Sequence, residues 1–172
     1  MKPLATILLT LLASFAAAAT PGITPIAMRE ASAATYYIQA EIPGVEPFEL
    51  MVDTGSGLMT INEQTLAHLQ RLDSVRYVKQ LEGILADGRR MVVPVYRIVQ
   101  INIGGDCALY DIDAAVFPGR TRQILGLSAL RKAAPFTFSI DPPQLMLSGC
   151  EAPAPALPRA SIQARPDIVA SE

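Results

Sequence analysis

The residues best suited to chemistry in this chain form the run Asp53-Thr54-Gly55-Ser56. The run directly follows the apolar segment Leu50–Val52, so we expect it on the turn at the end of a buried strand. A carboxylate in that place is partly desolvated; glycine lets the backbone approach it, and the Thr54 and Ser56 hydroxyls can orient it. Such a carboxylate suits acid–base chemistry. The alternative is an ordinary polar turn, because all four residue types are common in turns.

The other polar residues fit structural roles better than catalytic ones. His68 is the one histidine, so a Ser-His-Asp hydrolase would need it as the base. It lies in a predicted helix beside Leu66 and Leu69, and no serine or cysteine nucleophile motif accompanies it. One histidine and two cysteines are too few for a closed zinc site, and we expect no metal and no other cofactor. Five other aspartates are predicted in turns, on solvent-facing strand positions or at a strand end: Asp87, Asp106, Asp111, Asp113 and Asp141.

The composition narrows the class of protein. The chain has 172 residues, with 14 Lys+Arg against 16 Asp+Glu and a formal net charge of −2. This length fits one domain, since domains usually run to about 100–200 residues. No basic run is interleaved with aromatic residues, which argues against a nucleic-acid partner. The 14 prolines and 11 glycines argue against a helix bundle and favour a turn-rich domain.

Residues 1–19 have the layout of a secretory signal peptide. Lys2 supplies the positive charge, Leu4–Phe15 the apolar stretch, and Ala16–Ala19 the small residues for cleavage. An uncleaved membrane anchor is the alternative, but the apolar segment is shorter than the roughly 20 residues that span a bilayer. We therefore expect export to a periplasmic or extracellular location, with the periplasm favoured, and no membrane association after cleavage.

Export affects the interpretation of the two cysteines, Cys107 and Cys150. In an oxidising compartment an even pair favours a disulfide. Closing a loop of this length, about 44 residues, would stabilise the fold by about 4 kcal/mol in the chain-entropy model. Two buried thiols remain the alternative, because the spacing alone does not show that the two Cα atoms lie within bonding range.

Strand signals dominate the middle of the chain. Short apolar and β-branched runs separated by turn residues predict an all-β fold, either a barrel or a sandwich. Two long β-branched segments flank Ala86-Asp87-Gly88, and an Asp-Gly pair between such segments is typical of a hairpin. Two short helices are predicted, over Asn62–Leu72 with Asn62 as the N-cap, and over Ser128–Ala134 before Pro135.

The two ends of the chain lack these strand signals. Residues 20–34 predict a flexible leader, and residues 151–172 predict a disordered tail rich in proline and alanine. The folded domain is therefore expected over residues 35–150.

Three features in this order resemble the retropepsin-like aspartic peptidases, in particular small secreted or membrane-tethered bacterial members. They are the apolar Asp-Thr-Gly-Ser run of residues 50–56, the hairpin of residues 82–92 in the place of the family's flap, and Ile124-Leu125-Gly126 before a short helix. The resemblance covers Thr35–Leu147. It implies the acid protease fold, a closed β-barrel with one or two short helices.

The resemblance also implies a mechanism and a partner. A pair of close carboxylates shares a proton, so that one acts as base toward water and the other as acid. This chain holds one Asp-Thr-Gly run, so Asp53 would come from each protomer of an obligatory homodimer that cleaves polypeptide substrates. The resemblance assigns support of the site to Thr54, Gly55, Ser56 and Gly126. It assigns flap and substrate-binding roles to Leu85, Ala86, Asp87 and Gly88.

Two other functions remain open at this point. One is a retropepsin-like module that binds peptides without cutting them, and the other is a structural β-domain at the cell surface. Arg89 and Arg90, just past the flap tip, fit either a preference for acidic substrates or a solvated turn, and the solvated turn is favoured.

Overall fold

In a computed structural model of the chain, residues 22–84 and 88–153 are described. The signal peptide predicted over residues 1–19 lies outside the described residues, as does most of the predicted tail. Within the described residues, no helix is both long and apolar enough to cross a membrane.

The described residues are mostly in strands. The strands are β1 (Thr24–Ala27), β2 (Arg29–Ala31), β3 (Thr35–Glu41), β4 (Phe48–Val52), β5 (Met59–Asn62), β6 (Val75–Ile84), β7 (Arg90–Ile103), β8 (Cys107–Phe117), β9 (Ile124–Leu125), β10 (Phe136–Ser139) and β11 (Gln144–Leu147). The helices are α1 (Glu63–Arg71), α2 (Leu127–Leu130) and a short 3-10 helix at Ser32–Ala34.

The main sheet closes on itself. Its strand order is β2-β3-β4-β9-β5-β8-β7-β6, and β3 also pairs with β7 through Ala40–Ile103 and Glu41–Asn102. Six strands thus form a ring, while β2 and β6 extend beyond it. A second, three-stranded sheet has the order β1-β11-β10. The predicted all-β fold, a closed barrel with two short helices, is confirmed.

Aliphatic side chains fill the core. Because strand side chains alternate between faces, β3 buries every second residue: Tyr36, Ile38 and Ala40. Fully burying one such side chain stabilises the fold by about 1.5–3 kcal/mol relative to exposure. The largest fully buried side chains include Ile38, Leu50, Met59, Ile98, Ile112 and Leu125.

The N-terminal segment differs from the sequence prediction. A flexible leader was expected over residues 20–34, but β1 pairs antiparallel with β11, and β2 pairs with β3. Ile26 is 2% exposed and Met28 is 7% exposed. The domain therefore begins before residue 35. The local pattern missed this because β11, the strand that pairs with β1, lies more than 100 residues later in the chain.

Of the two predicted helices, α1 is confirmed and α2 is shorter than expected. Asn62 caps α1 by accepting a hydrogen bond from Thr65 N at 2.9 Å. The helix predicted over residues 128–134 ends at Leu130 instead. The carbonyl of Ala133 accepts hydrogen bonds from Ser148 N and Gly149 N, both at 3.1 Å, so the chain leaves the helix to pair with this distant segment.

The predicted disulfide is confirmed. Cys107 and Cys150 are bonded, with their Cα atoms 4.7 Å apart. The bond holds the C-terminal end of the domain against β8, where Glu151 pairs with Ala108. The tail expected from residue 151 therefore keeps one residue paired to the barrel, and residues 154–172 lie outside the described residues.

Candidate active site

Asp53 follows β4, as the sequence predicts. β4 pairs with β3 on one side and runs parallel to β9 on the other. Asp53 N donates to Leu125 O at 3.2 Å, which continues the β4–β9 ladder by one residue, and Ser56 N donates to Asp53 O at 3.3 Å to close the turn. The Asp53 side chain is half-buried at the end of a strand whose backbone is fixed on both sides.

A backbone amide orients the Asp53 carboxylate. Gly55 N donates to Asp53 Oδ1 at 2.8 Å, and a Cβ on Gly55 would lie 3.1 Å from that oxygen. The Ser56 hydroxyl donates to Leu58 O at 2.7 Å and not to the carboxylate, contrary to the expected role of its hydroxyl. Thr54 is exposed beside the turn. The carboxylate is therefore oriented by the chain's own turn.

Gly126 lies directly behind this turn. A Cβ at Gly126 would overlap the carbonyl of Leu58 and approach Ser56 O to 2.9 Å, so no larger residue fits without moving backbone. The next residue, Leu127, donates its N–H to Ser56 O at 2.8 Å. The structure thus brings Gly126 and the Asp53–Ser56 turn together across some 70 residues of sequence.

Ser128 is a structural contributor that the sequence interpretation missed. Its hydroxyl accepts a hydrogen bond from Met59 N at 2.8 Å and donates to Asp113 O at 2.7 Å. It therefore joins α2 to β5 and β8, the elements around the turn. Both partners are distant in sequence, and no local pattern distinguishes this serine from one on a helix surface.

The predicted hairpin is formed by β6 and β7. Their pairing reaches Ile84 and Arg90 at the open end, and Gly88 is exposed with a φ of +82°, a conformation that favours glycine. Leu85, Ala86 and Asp87 lie outside the described residues. Arg90 pairs with Glu82 at 3.4 Å. The hairpin is confirmed, and its closure over a substrate stays a prediction.

Two clefts are lined by described residues, and Asp53 lines neither. One, of about 480 Å³, is lined by Arg76, Arg97, Asp111, Asp113, Ser128 and Lys132. The other, of about 500 Å³, lies beside α1 and includes His68 and Gln123.

The charges of the first cleft are largely paired within it. Arg97 donates to both carboxylate oxygens of Asp113, at 2.7 and 3.1 Å, and this hydrogen bonding raises the pKa of Arg97. Asp111, which is exposed as predicted, contacts Arg76 at 3.2 Å. Asp113 was also expected to face solvent, but its ion pair leaves the side chain 30% exposed. Its partner, Arg97, lies directly across the β7–β8 pair.

Among the described residues, neither His68 nor a cluster of metal-ligating side chains forms a second candidate site. His68 Nδ1 lies 2.9 Å from Arg71 Nη2 on α1, and the cleft that His68 lines does not include Asp53. Among residues 22–84 and 88–153, no three His, Cys, Asp or Glu side chains cluster as metal ligands. Asp53 remains the strongest candidate for a reactive group in this part of the chain.

Comparisons with known proteins agree with this geometry. A family model described as "gag-polyprotein putative aspartyl protease" matches residues 38–132, a range of more than half the chain that includes Asp53 and Gly126. The fold is similar to that of a retropepsin-like aspartic protease from Rickettsia conorii, at 21% sequence identity and a TM-score of 0.54. That alignment covers 73% of this chain and 91% of the other. No curated protein matches significantly.

Proposed function

This chain belongs to the gag-polyprotein aspartyl protease family, and from that premise we propose that it is a homodimeric aspartic endopeptidase with Asp53 as its catalytic residue. Two Asp53 carboxylates, one from each protomer, activate the water that hydrolyses a peptide bond. The observation that carries the proposal is the half-buried Asp53 carboxylate at the end of β4, held by Gly55 N at 2.8 Å.

The chemistry follows from the pairing of two carboxylates. At a separation of a few ångströms both cannot ionise, so the pair carries one shared proton. The ionised member takes a proton from water as the water oxygen attacks the peptide carbonyl, and the protonated member donates to the carbonyl oxygen. The tetrahedral intermediate then collapses: the C–N bond breaks, the leaving nitrogen takes a proton from one carboxyl, and a hydroxyl of the intermediate returns a proton to the other carboxylate, which restores the singly protonated pair. No covalent bond to the enzyme is formed.

Two features support a second copy as the source of the second carboxylate. The chain contains one Asp-Thr-Gly run, and among the described residues the Asp53 carboxylate bonds to Gly55 N and to no second carboxylate. A two-fold axis beside Asp53 would place the same residue of both protomers in one site. Thr54, exposed next to Asp53, is available to hydrogen-bond across that interface. The β6–β7 hairpins would then cover an extended peptide.

We also propose that the protein is exported to the periplasm after cleavage of residues 1–19. The Cys107–Cys150 disulfide supports this location, because disulfides persist in oxidising compartments and are rare in the cytosol of most organisms.

The decisive test is the substitution Asp53→Asn in the full chain. We expect it to lower cleavage of a reduced, alkylated protein substrate by about 10³-fold or more, because general acid–base catalysis is lost without a change of shape. Cleavage is measured from pH 4 to 7 at a protein concentration that maintains the dimer. A shared proton predicts a bell-shaped profile on the acidic side.

The matched control is Asp106→Asn, which makes the same charge change at an exposed turn and should leave cleavage unchanged. Circular dichroism checks that both variants fold. Equal cleavage by wild type and Asp53→Asn would overturn the proposal. Peptide binding without cleavage by the wild type would favour the non-catalytic module instead.

A further inference from the structure

The strand that carries Asp53 has one face in the core and one outside it. Phe48, Leu50 and Val52 pack in or against the core. Because side chains alternate along a strand, Met51 points to the opposite face, together with Asp53. The ladder bond from Asp53 N to Leu125 O extends this alternation to Asp53. Met51 and Asp53 are therefore neighbours on one face, roughly 7 Å apart along the strand.

A positive charge lies over the same face. Arg122, on the segment just before β9, is exposed, and its Nη1 donates to Met51 Sδ at 3.5 Å. A thioether is a weak acceptor, so this contact places the guanidinium without neutralising it. The other N–H donors of Arg122 remain available to a ligand that lies over Met51.

Glu49 and Arg29 also lie on this face, and their charges neutralise each other. Glu49, two residues before Met51, accepts two hydrogen bonds from Arg29, at 2.8 and 2.6 Å. This hydrogen bonding holds the pKa of Glu49 below its ordinary value, so Glu49 stays ionised and paired. Among the described residues Arg122 makes no ion pair. The face that carries Asp53 therefore has a guanidinium that no carboxylate among the described residues contacts.

We propose that Arg122 is a carboxylate-binding subsite of the peptidase, selecting peptides with aspartate or glutamate within two residues of the scissile bond. The inference rests on the proposed function and adds its substrate class. A guanidinium binds a carboxylate through two parallel hydrogen bonds. It also offsets the repulsion between an acidic substrate side chain and the negative Asp53 pair. In a two-fold dimer, one Arg122 would lie on each side of the scissile bond.

The sequence offers a different source for a preference for acidic substrates. Arg89 and Arg90 at the hairpin fit such a preference, although a solvated turn is favoured there. Arg90 pairs with Glu82 at 3.4 Å, so its charge is already offset. Arg122 drew no attention in the sequence because its position over Met51, 71 residues earlier, arises from the pairing of β4 with β9.

The test compares Arg122→Gln with Arg120→Gln, a matched change at an exposed arginine of the same segment. The full chain and both variants digest a peptide library, and mass spectrometry identifies each cleavage site. For matched peptides with Glu or Gln near the scissile bond, we expect the wild type to favour Glu by about tenfold in kcat/KM. The ratio should fall to about one in Arg122→Gln and persist in Arg120→Gln.

The pH dependence gives a second readout. The preference of the wild type should decline toward one as the pH falls below about 4.3, where free glutamate is protonated. An unchanged Glu-to-Gln ratio in Arg122→Gln would overturn the inference. An equal fall in both arginine variants would also overturn it, since the cause would then be the general positive field of the segment.

Failure of the proposed function is distinguishable from failure of the subsite. If the wild type cuts nothing, the peptidase proposal fails, and fluorescence anisotropy with fluorescein-labelled Glu and Gln peptides still tests the subsite. Tighter binding of the Glu peptide that disappears in Arg122→Gln supports it. Equal binding of both peptides by the wild type overturns it.

Discussion

Gly126 determines how closely α2 can approach the turn that holds the candidate catalytic carboxylate. Its missing side chain leaves space that the carbonyl of Leu58 occupies, and Ser56 O accepts a hydrogen bond from the following residue, Leu127. Gly55 has a second, different function, because its N–H holds Asp53 Oδ1. At this scale the site is built mainly from backbone groups, and the Asp53 side chain is the proposed catalytic group.

We predict that Gly126→Ala lowers the free energy of unfolding by about 3 kcal/mol or more, because the added methyl group overlaps backbone that cannot move aside easily. The matched control is Gly57→Ala, where a Cβ would meet nothing within 4 Å. That change should alter stability by less than about 1 kcal/mol. Urea unfolding followed by circular dichroism measures both. Equal urea midpoints for the two variants would contradict the close approach at Gly126.

Among the elements, β1 is the one whose role was least apparent from the sequence. It forms one edge of the small sheet, and Ile26 packs over the turn at Gly104, where a Cβ would lie 2.5 Å from Ile26 Cγ2. Gly104 also has a φ of +61°, so both the turn and the contact require glycine. The long hairpin and α1 were predictable because turn residues and caps within their own segments specify them.

We predict that Ile26→Ala destabilises the domain by about 2–5 kcal/mol, the usual cost of truncating a buried isoleucine. Ile23→Ala is the control, since Ile23 is 66% exposed and its truncation should have little effect. Thermal or urea unfolding of the full chain reports the difference. If Ile26→Ala were as stable as Ile23→Ala, the segment before residue 35 would behave as the leader that the sequence suggested.

For the whole molecule, the ring of six strands and the disulfide form one protomer, with Asp53 on the face of β4 that points away from the core. The β3–β7 pairing closes the ring, and Cys150 holds the end of the domain to β8. The proposed mechanism needs a second carboxylate on this face, so activity should depend on pairs of chains.

We predict that mixed dimers of wild type and Asp53→Asn are inactive. With the two chains co-expressed in equal amounts at constant total concentration, random pairing leaves about one quarter of the dimers fully wild type, so activity should fall to about one quarter. Sites that act independently in each chain would retain about one half. A linear fall in cleavage with the wild-type fraction would therefore contradict the shared site, and a quadratic fall supports it.

Local patterns in the sequence were sufficient for the strands from β3 onward, the hairpin, the cap of α1 and the polar turn at Asp53, because each depends on residues close together in the chain. The family resemblance also followed from short runs in a fixed order. Contacts between distant segments were not accessible in this way. The packing of Gly126 and Ser128 behind the turn, the docking of β1, and the placement of Arg122 over Met51 all arise when the barrel closes. Burial and strand pairing then determine which distant residues meet, and no local period encodes that choice.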